Sequence, residues 1–195
     1  MPTDPGHWKE NDLPLKELLQ WEKEGYPEGK GYVEPEVNPS LSNPTSPLEV
    51  ACANLEKFLA KARSDSFDPA NPTNILFKGD RNEIDKIIEK WKLPSIYLDF
   101  LTRFSPLNVD IYSSNFVIFL HLYGTSDLLK ERRRFLEPIP SEYIIIGADG
   151  HDVYVMDLTK SDGFDAPILY RGEGEDNFVK YTDSFVKFLG KLCKK

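Results

Sequence analysis

Cysteine is scarce in this chain: Cys52 and Cys193 are the only two. Two thiols so far apart supply neither a zinc ligand set nor a disulfide framework. They read as reduced, which points to the cytoplasm. Histidine is nearly as rare, with three residues, His7, His121 and His151. No apolar run approaches the roughly 20 residues a membrane helix needs. The longest, Phe116–Leu120, is strand-sized. No basic stretch followed by an apolar one opens the chain, so no secretory leader is expected. A Gly-x-Ser-x-Gly elbow, a His-Glu-x-x-His helix and a phosphate-binding loop are all missing. The expectation is a protein with no catalytic residues, no metal, no cofactor and no membrane association.

Aromatic side chains, by contrast, are plentiful. Twelve Phe, nine Tyr and three Trp among 195 residues are enough to build a core. Acidic residues are plentiful too, and unevenly placed. Residues 137–177 hold ten acids against two bases, a local charge of −8 equal to that of the whole chain. Such a segment repels phosphates, so no nucleic-acid partner is expected. Two readings of it stand: the acids hydrate loops, or they steer a basic protein partner toward the chain.

Eight of the fifteen prolines fall in residues 1–47. Proline interrupts helices and ladders alike, so residues 1–46 read as a Pro-rich arm with one short helical insert after Asp12. The main domain is expected over 47–195. Leu48, Cys52, Leu55, Leu59 and Ala62 recur at helical spacing. Ile75–Phe77 suits a short strand. Asp80 with Glu83 forms a capping-box pattern ahead of Ile84, Ile87, Ile88 and Trp91. A Leu93-Pro94-Ser95 elbow then starts a second helix with Tyr97, Phe100, Leu101 and Phe104 on one face. Phe116–Tyr123 reads as a central strand, with His121 a strand histidine that no carboxylate joins in sequence.

The centre of the pattern is Tyr143–Leu158. Two apolar runs flank a Gly-Ala-Asp-Gly-His-Asp turn, which predicts a β-hairpin. Val153, Val155 and Asp157 take one face; Tyr154, Met156 and Leu158 take the other. Pro167–Tyr170 is a third strand between two acidic loops. A final helix starts at Thr182 or Asp183 and carries Phe185, Phe188, Leu189 and Leu192. Arg132-Arg133-Arg134, the one concentrated basic run, is read as a solvated helix face or a contact for an acidic surface. The fold class is α+β: a mainly antiparallel sheet covered by helices.

The Asp80–Trp91 helix, the Leu93-to-Leu101 elbow, the Ile146-to-Tyr154 hairpin and Asp183-Ser184-Phe185, in this order, resemble the SUKH superfamily. That group includes the yeast Smi/Knr-type regulators of cell-wall synthesis and many bacterial immunity proteins. The resemblance runs from about Pro47 to Lys195. Arg103-Phe104-Ser105-Pro106 departs from the Tyr-Asn-Gly-Gly-like turn usual after the elbow helix. The resemblance implies a non-enzymatic binding module. Its first form is an immunity protein that neutralises a cognate toxin, a nuclease being one class, by direct contact. Its alternative is a Smi/Knr-like regulatory scaffold.

Charge density and loop position nominate Asp149, Asp152, Asp162, Asp165, Glu173, Glu175 and Asp176 as the residues that meet a basic toxin domain. Two chemical readings compete with this one. A small hydrolase would use His151 and Asp152 with Ser141 or Ser161. A calcium site would use Asp149-Gly150-His151-Asp152, although calcium takes six to eight oxygens and the turn itself explains these residues.

Overall fold

The computed structural model describes residues 39–66, 74–112, 119–130, 139–149 and 152–193. The arm ahead of Pro39, its helical insert, Arg132-Arg133-Arg134 and His151 lie outside the described residues.

A one-turn helix, α1 (Pro39–Ser42), precedes the long helix α2 (Pro47–Ser66). The start of α2 is a capping box. Ser46 Oγ accepts the Glu49 amide at 3.2 Å, and Glu49 Oε2 accepts the Ser46 and Thr45 amides at 3.0 and 2.7 Å. Glu49 also receives Arg103 Nη2 at 2.5 Å. The guanidinium first, then those amides, hold the Glu49 carboxyl at about 2. Leu48, Cys52, Leu55 and Leu59 line the buried stripe of α2, as their spacing requires.

Strand β1 (Ile75–Phe77) leads into α3 (Arg81–Lys90), capped by Asp80 Oδ1 on the Asn82 and Glu83 amides. Glu83 does not close the expected box. Its carboxylate takes the Thr125 hydroxyl at 2.5 Å, a tertiary partner that competes with the local one. Helix α4 (Ser95–Phe104) follows the Leu-Pro elbow. Pro94 has no side chain able to cap it. Gly79 lies against the end of α4, where a Cβ would fall 2.2 Å from the Leu101 carbonyl oxygen.

Strand β2 (Ser105–Leu107) pairs antiparallel with β1. The main sheet is an antiparallel meander in chain order: β3 (Val109–Tyr112), β4 (Phe119–Leu122), β5 (Tyr143–Asp149), β6 (Asp152–Asp157), β7 (Ile168–Arg171) and β8 (Val179–Thr182). Helix α5 (Thr125–Lys130) follows β4, and α6 (Phe185–Leu192) closes the described chain. The α+β architecture is the one expected. Three of its details differ from expectation. The β5–β6 ladder runs on to Asp149 opposite Asp152, farther than the six-residue turn read from the sequence implies, with a bulge between Ile145 and Gly147. Strand β4 lies second from an edge rather than at the centre. The expected cap of the last helix moves to Ser184, whose Oγ accepts the Lys187 amide.

Sheet and helices meet in an aromatic cluster. The Phe185 ring meets Tyr97 and Phe100 edge-on at 4.9 Å each, and Phe188 meets Tyr154 at 5.6 Å. Tyr97, Phe100, Phe185 and Phe188 are fully buried. Edge-on pairs add to the area term, so this cluster holds α4, α6 and the sheet in one core. Phe185→Ala is predicted to cost about 3–5 kcal/mol. Exposed Phe164→Ala is predicted to fall within about 0.5 kcal/mol of wild type. Urea unfolding followed by circular dichroism measures both.

Candidate functional site: the acidic turns

The antiparallel meander sends alternate connections to opposite ends of the sheet, and this divides the seven nominated carboxylates. Asp149 and Asp152 face each other across the β5–β6 turn. Val153 pairs with Arg171, so the β7–β8 connection emerges beside that turn and brings Glu173, Glu175 and Asp176 to it. Asp162 and Asp165 sit in the β6–β7 connection, at the other end. The seven do not form one surface; five of them do.

Asp152 joins the two acidic turns. Its Oδ2 accepts the Tyr170 hydroxyl at 2.8 Å, and its Oδ1 accepts the Glu173 amide at 2.8 Å. The Glu175 amide donates to the Gly172 carbonyl at 3.1 Å, which folds the second turn. Gly174, at φ +74°, completes it in the left-handed region that glycine enters freely. Glu173, Glu175 and Asp176 are exposed, and Asp149 and Asp152 are half-buried. The Tyr170 phenol registers their shared field. Burial first, then the bond to Asp152, then the charges of Asp152, Asp149 and Glu175, push it up to about 12.

Asp162 and Asp165 are engaged by the backbone. Asp162 Oδ1 accepts the Phe164 and Asp165 amides at 2.8 Å each. Those two bonds come first in holding its carboxyl below the usual range. Asp165 Oδ1 accepts the Ala166 amide at 2.7 Å and the Phe185 amide at 2.9 Å, so it caps α6. The Gly163 and Phe164 carbonyls accept the Ser95 and Ile96 amides at 3.0 Å each, which caps α4 where Pro94 cannot.

Of the parts of the hydrolase reading, His151 lies outside the described residues, and Asp152 is not brought together with either serine. Ser161 Oγ donates to the Asp165 carbonyl, at the end of the sheet opposite Asp152. Ser141 precedes β5 at that same opposite end. Among the described residues, no group of three or more His, Cys, Asp or Glu side chains could hold a metal ion. No helix among them is long and apolar enough to cross a membrane.

Sequence reading missed the surroundings of His121. Asp110 Oδ1 lies 2.7 Å from its Nδ1, and Asp127 Oδ2 lies 3.6 Å from its Nε2. Asp110 comes from an unrecognised strand, and ladder register makes it His121's cross-strand neighbour. Only recognition of the β3–β4 hairpin would have shown the pair.

Fold and turns together define an α+β module that displays carboxylates from the end of a sheet. The chain belongs to the SMI1 / KNR4 family (SUKH-1), whose model matches residues 79–191, more than half of its length. The match takes in the α3 helix, the elbow, the hairpin and the start of α6. No curated protein matches the chain.

The two groups of carboxylates predict different mutant behaviour. Asp165→Ala is predicted to cost about 1–2 kcal/mol through the lost helix cap. Glu175→Ala and Asp176→Ala are predicted to stay within about 0.5 kcal/mol of wild type. Urea midpoints at neutral pH distinguish the two.

Proposed function

We propose that this protein is a non-enzymatic binding module of the immunity type. It neutralises a cognate toxin, a nuclease being one class, by direct surface contact. The contact surface is the acidic end of the sheet, formed by Asp149, Asp152, Glu173, Glu175 and Asp176. Of the seven residues nominated from sequence, Asp162 and Asp165 take the scaffold role, because backbone amides occupy their carboxylates.

The observation that carries this reading is the tie from Asp152 to Tyr170 and to the Glu173 amide. It presets two acidic turns as one surface, so little ordering cost remains at binding. Asp149 and Asp152 are directly opposite each other in the ladder. Like charges so placed oppose folding. A basic partner turns that opposition into attraction and gains a faster encounter. A toxin acting on nucleic acid presents such a basic, phosphate-binding face. Membership in the SMI1 / KNR4 family supports a binding role over chemistry. The free thiols Cys52 and Cys193 favour the cytoplasm as its place of action.

Co-expression with a toxin domain encoded beside its gene tests the reading. The wild-type chain is expected to restore growth. The triple reversal Glu173→Lys, Glu175→Lys, Asp176→Lys is expected to keep the fold and to slow association about tenfold or more at low salt. It is also expected to flatten the salt dependence. An unchanged association rate would remove the acidic end from the contact. Failure of the wild type to protect would remove the immunity role.

A further inference from the structure

His121 is one of three histidines in the chain, and the partner-binding role makes no use of it. It lies on β4, on the sheet face away from buried Leu120 and Leu122. Its ring is bracketed. Nδ1 meets Asp110 of β3 at 2.7 Å, and Nε2 faces Asp127 of α5 at 3.6 Å. A neutral imidazole carries one N–H and can donate to one carboxylate only; the imidazolium donates to both. Asp127 is itself fixed, since its Oδ2 accepts the Gly124 amide at 3.0 Å. Among the described residues, strand β3 is the edge of the sheet and pairs only with β4 in it. Three elements therefore meet at a single ring.

We propose that protonated His121 is the pin of a pH-sensitive clamp that fastens edge strand β3 and the first turn of α5 to β4. The pin lies close to the acidic turns, because His121 pairs with Ala148, the neighbour of Asp149. Removing its proton leaves two carboxylates around a neutral ring and releases one of them. The clamp stands whether or not the acidic end binds a toxin.

The ionisable groups around the ring come from several elements. Asp110 faces it from β3, and Asp127 faces it from α5, where Lys130 acts on Asp127. The Tyr123 ring lies edge-on at 5.6 Å. Tyr97 of α4, a buried phenol without a hydrogen-bond partner among the described residues, is raised by burial first and then by the charge of Asp127. Strand β5 offers uncharged Ala148.

The bond to Asp110, and next that to Asp127, push the imidazole up to about 9 against the cost of burial. Its folded value lies above its unfolded one, so its stabilisation is complete below about 6.5 and is lost as pH rises through about 9. Burial acts to raise the Asp127 carboxyl, but the bonds from His121 and the Gly124 amide outweigh it and hold it below the usual range. Its contribution is present at neutral pH and is lost in acid. The clamp closes between these limits.

Nuclear magnetic resonance titration of the His121 ring in the full chain, assigned with His121→Gln, tests this directly. The wild-type midpoint is expected near pH 9. Asp110→Asn is expected to lower proton affinity about tenfold or more, and Asp127→Asn to lower it less. Hydrogen exchange in β3, corrected for its intrinsic pH dependence, is expected to rise above pH 9 in the wild type. In Asp110→Asn it is expected to be fast already at neutral pH. A wild-type midpoint near the ordinary value of about 6.5 overturns the clamp. So does β3 protection that Asp110→Asn leaves unchanged.

Discussion

One connection, residues 158–167, caps two helices. Each helix begins with amides that no intrahelical carbonyl can reach. Helix α4 starts after a proline that cannot cap it, so the Gly163 and Phe164 carbonyls take its Ser95 and Ile96 amides. Helix α6 has Ser184 for one amide and borrows Asp165 for another. Gly163, at φ +88°, adopts the left-handed conformation the loop requires. The two helices so fixed present Tyr97, Phe100, Phe185 and Phe188 to one another and to the sheet. The orientation of the whole core thus rests on where this loop sets two helix starts.

The carboxylates divide along the same axis. At the capping end they meet backbone amides, Asp162 those of its own loop and Asp165 the one that opens α6. At the opposite end, one carboxylate, Asp152, is bonded on both oxygens and holds the others in place. Glu173, Glu175 and Asp176 project from that frame into solvent. An acidic segment of uniform appearance in the sequence therefore serves two physical purposes. The negative sheet end lies beside the edge strand β3, whose Asp110 meets His121, the cross-strand neighbour of Ala148.

Local signals are legible wherever the partner lies within a few residues. The α2 stripe, the Asp80 cap, the Leu-Pro elbow and the β5–β6 hairpin all follow from spacings of two to four residues. Strands β2, β3 and β8 gave no such signal. Two of them are four residues long and the third three, and each is held mainly by its pairing partner. The Glu83 carboxylate shows the limit plainly: its capping pattern is local, yet it binds Thr125, 42 positions away.

Composition and periodicity were sufficient for the α+β class, the aromatic core and the concentration of negative charge, because each depends on residue type and near spacing. The assignment of individual carboxylates was not available at that level. Whether an aspartate faces solvent or caps a helix depends on which amide stands opposite it. For Asp165 that amide is 20 positions away in Phe185, and for Asp152 it is 21 positions away in Glu173. His121 acquires two acidic neighbours for the same reason: strand register and a following turn, not chain proximity, set what its nitrogens meet.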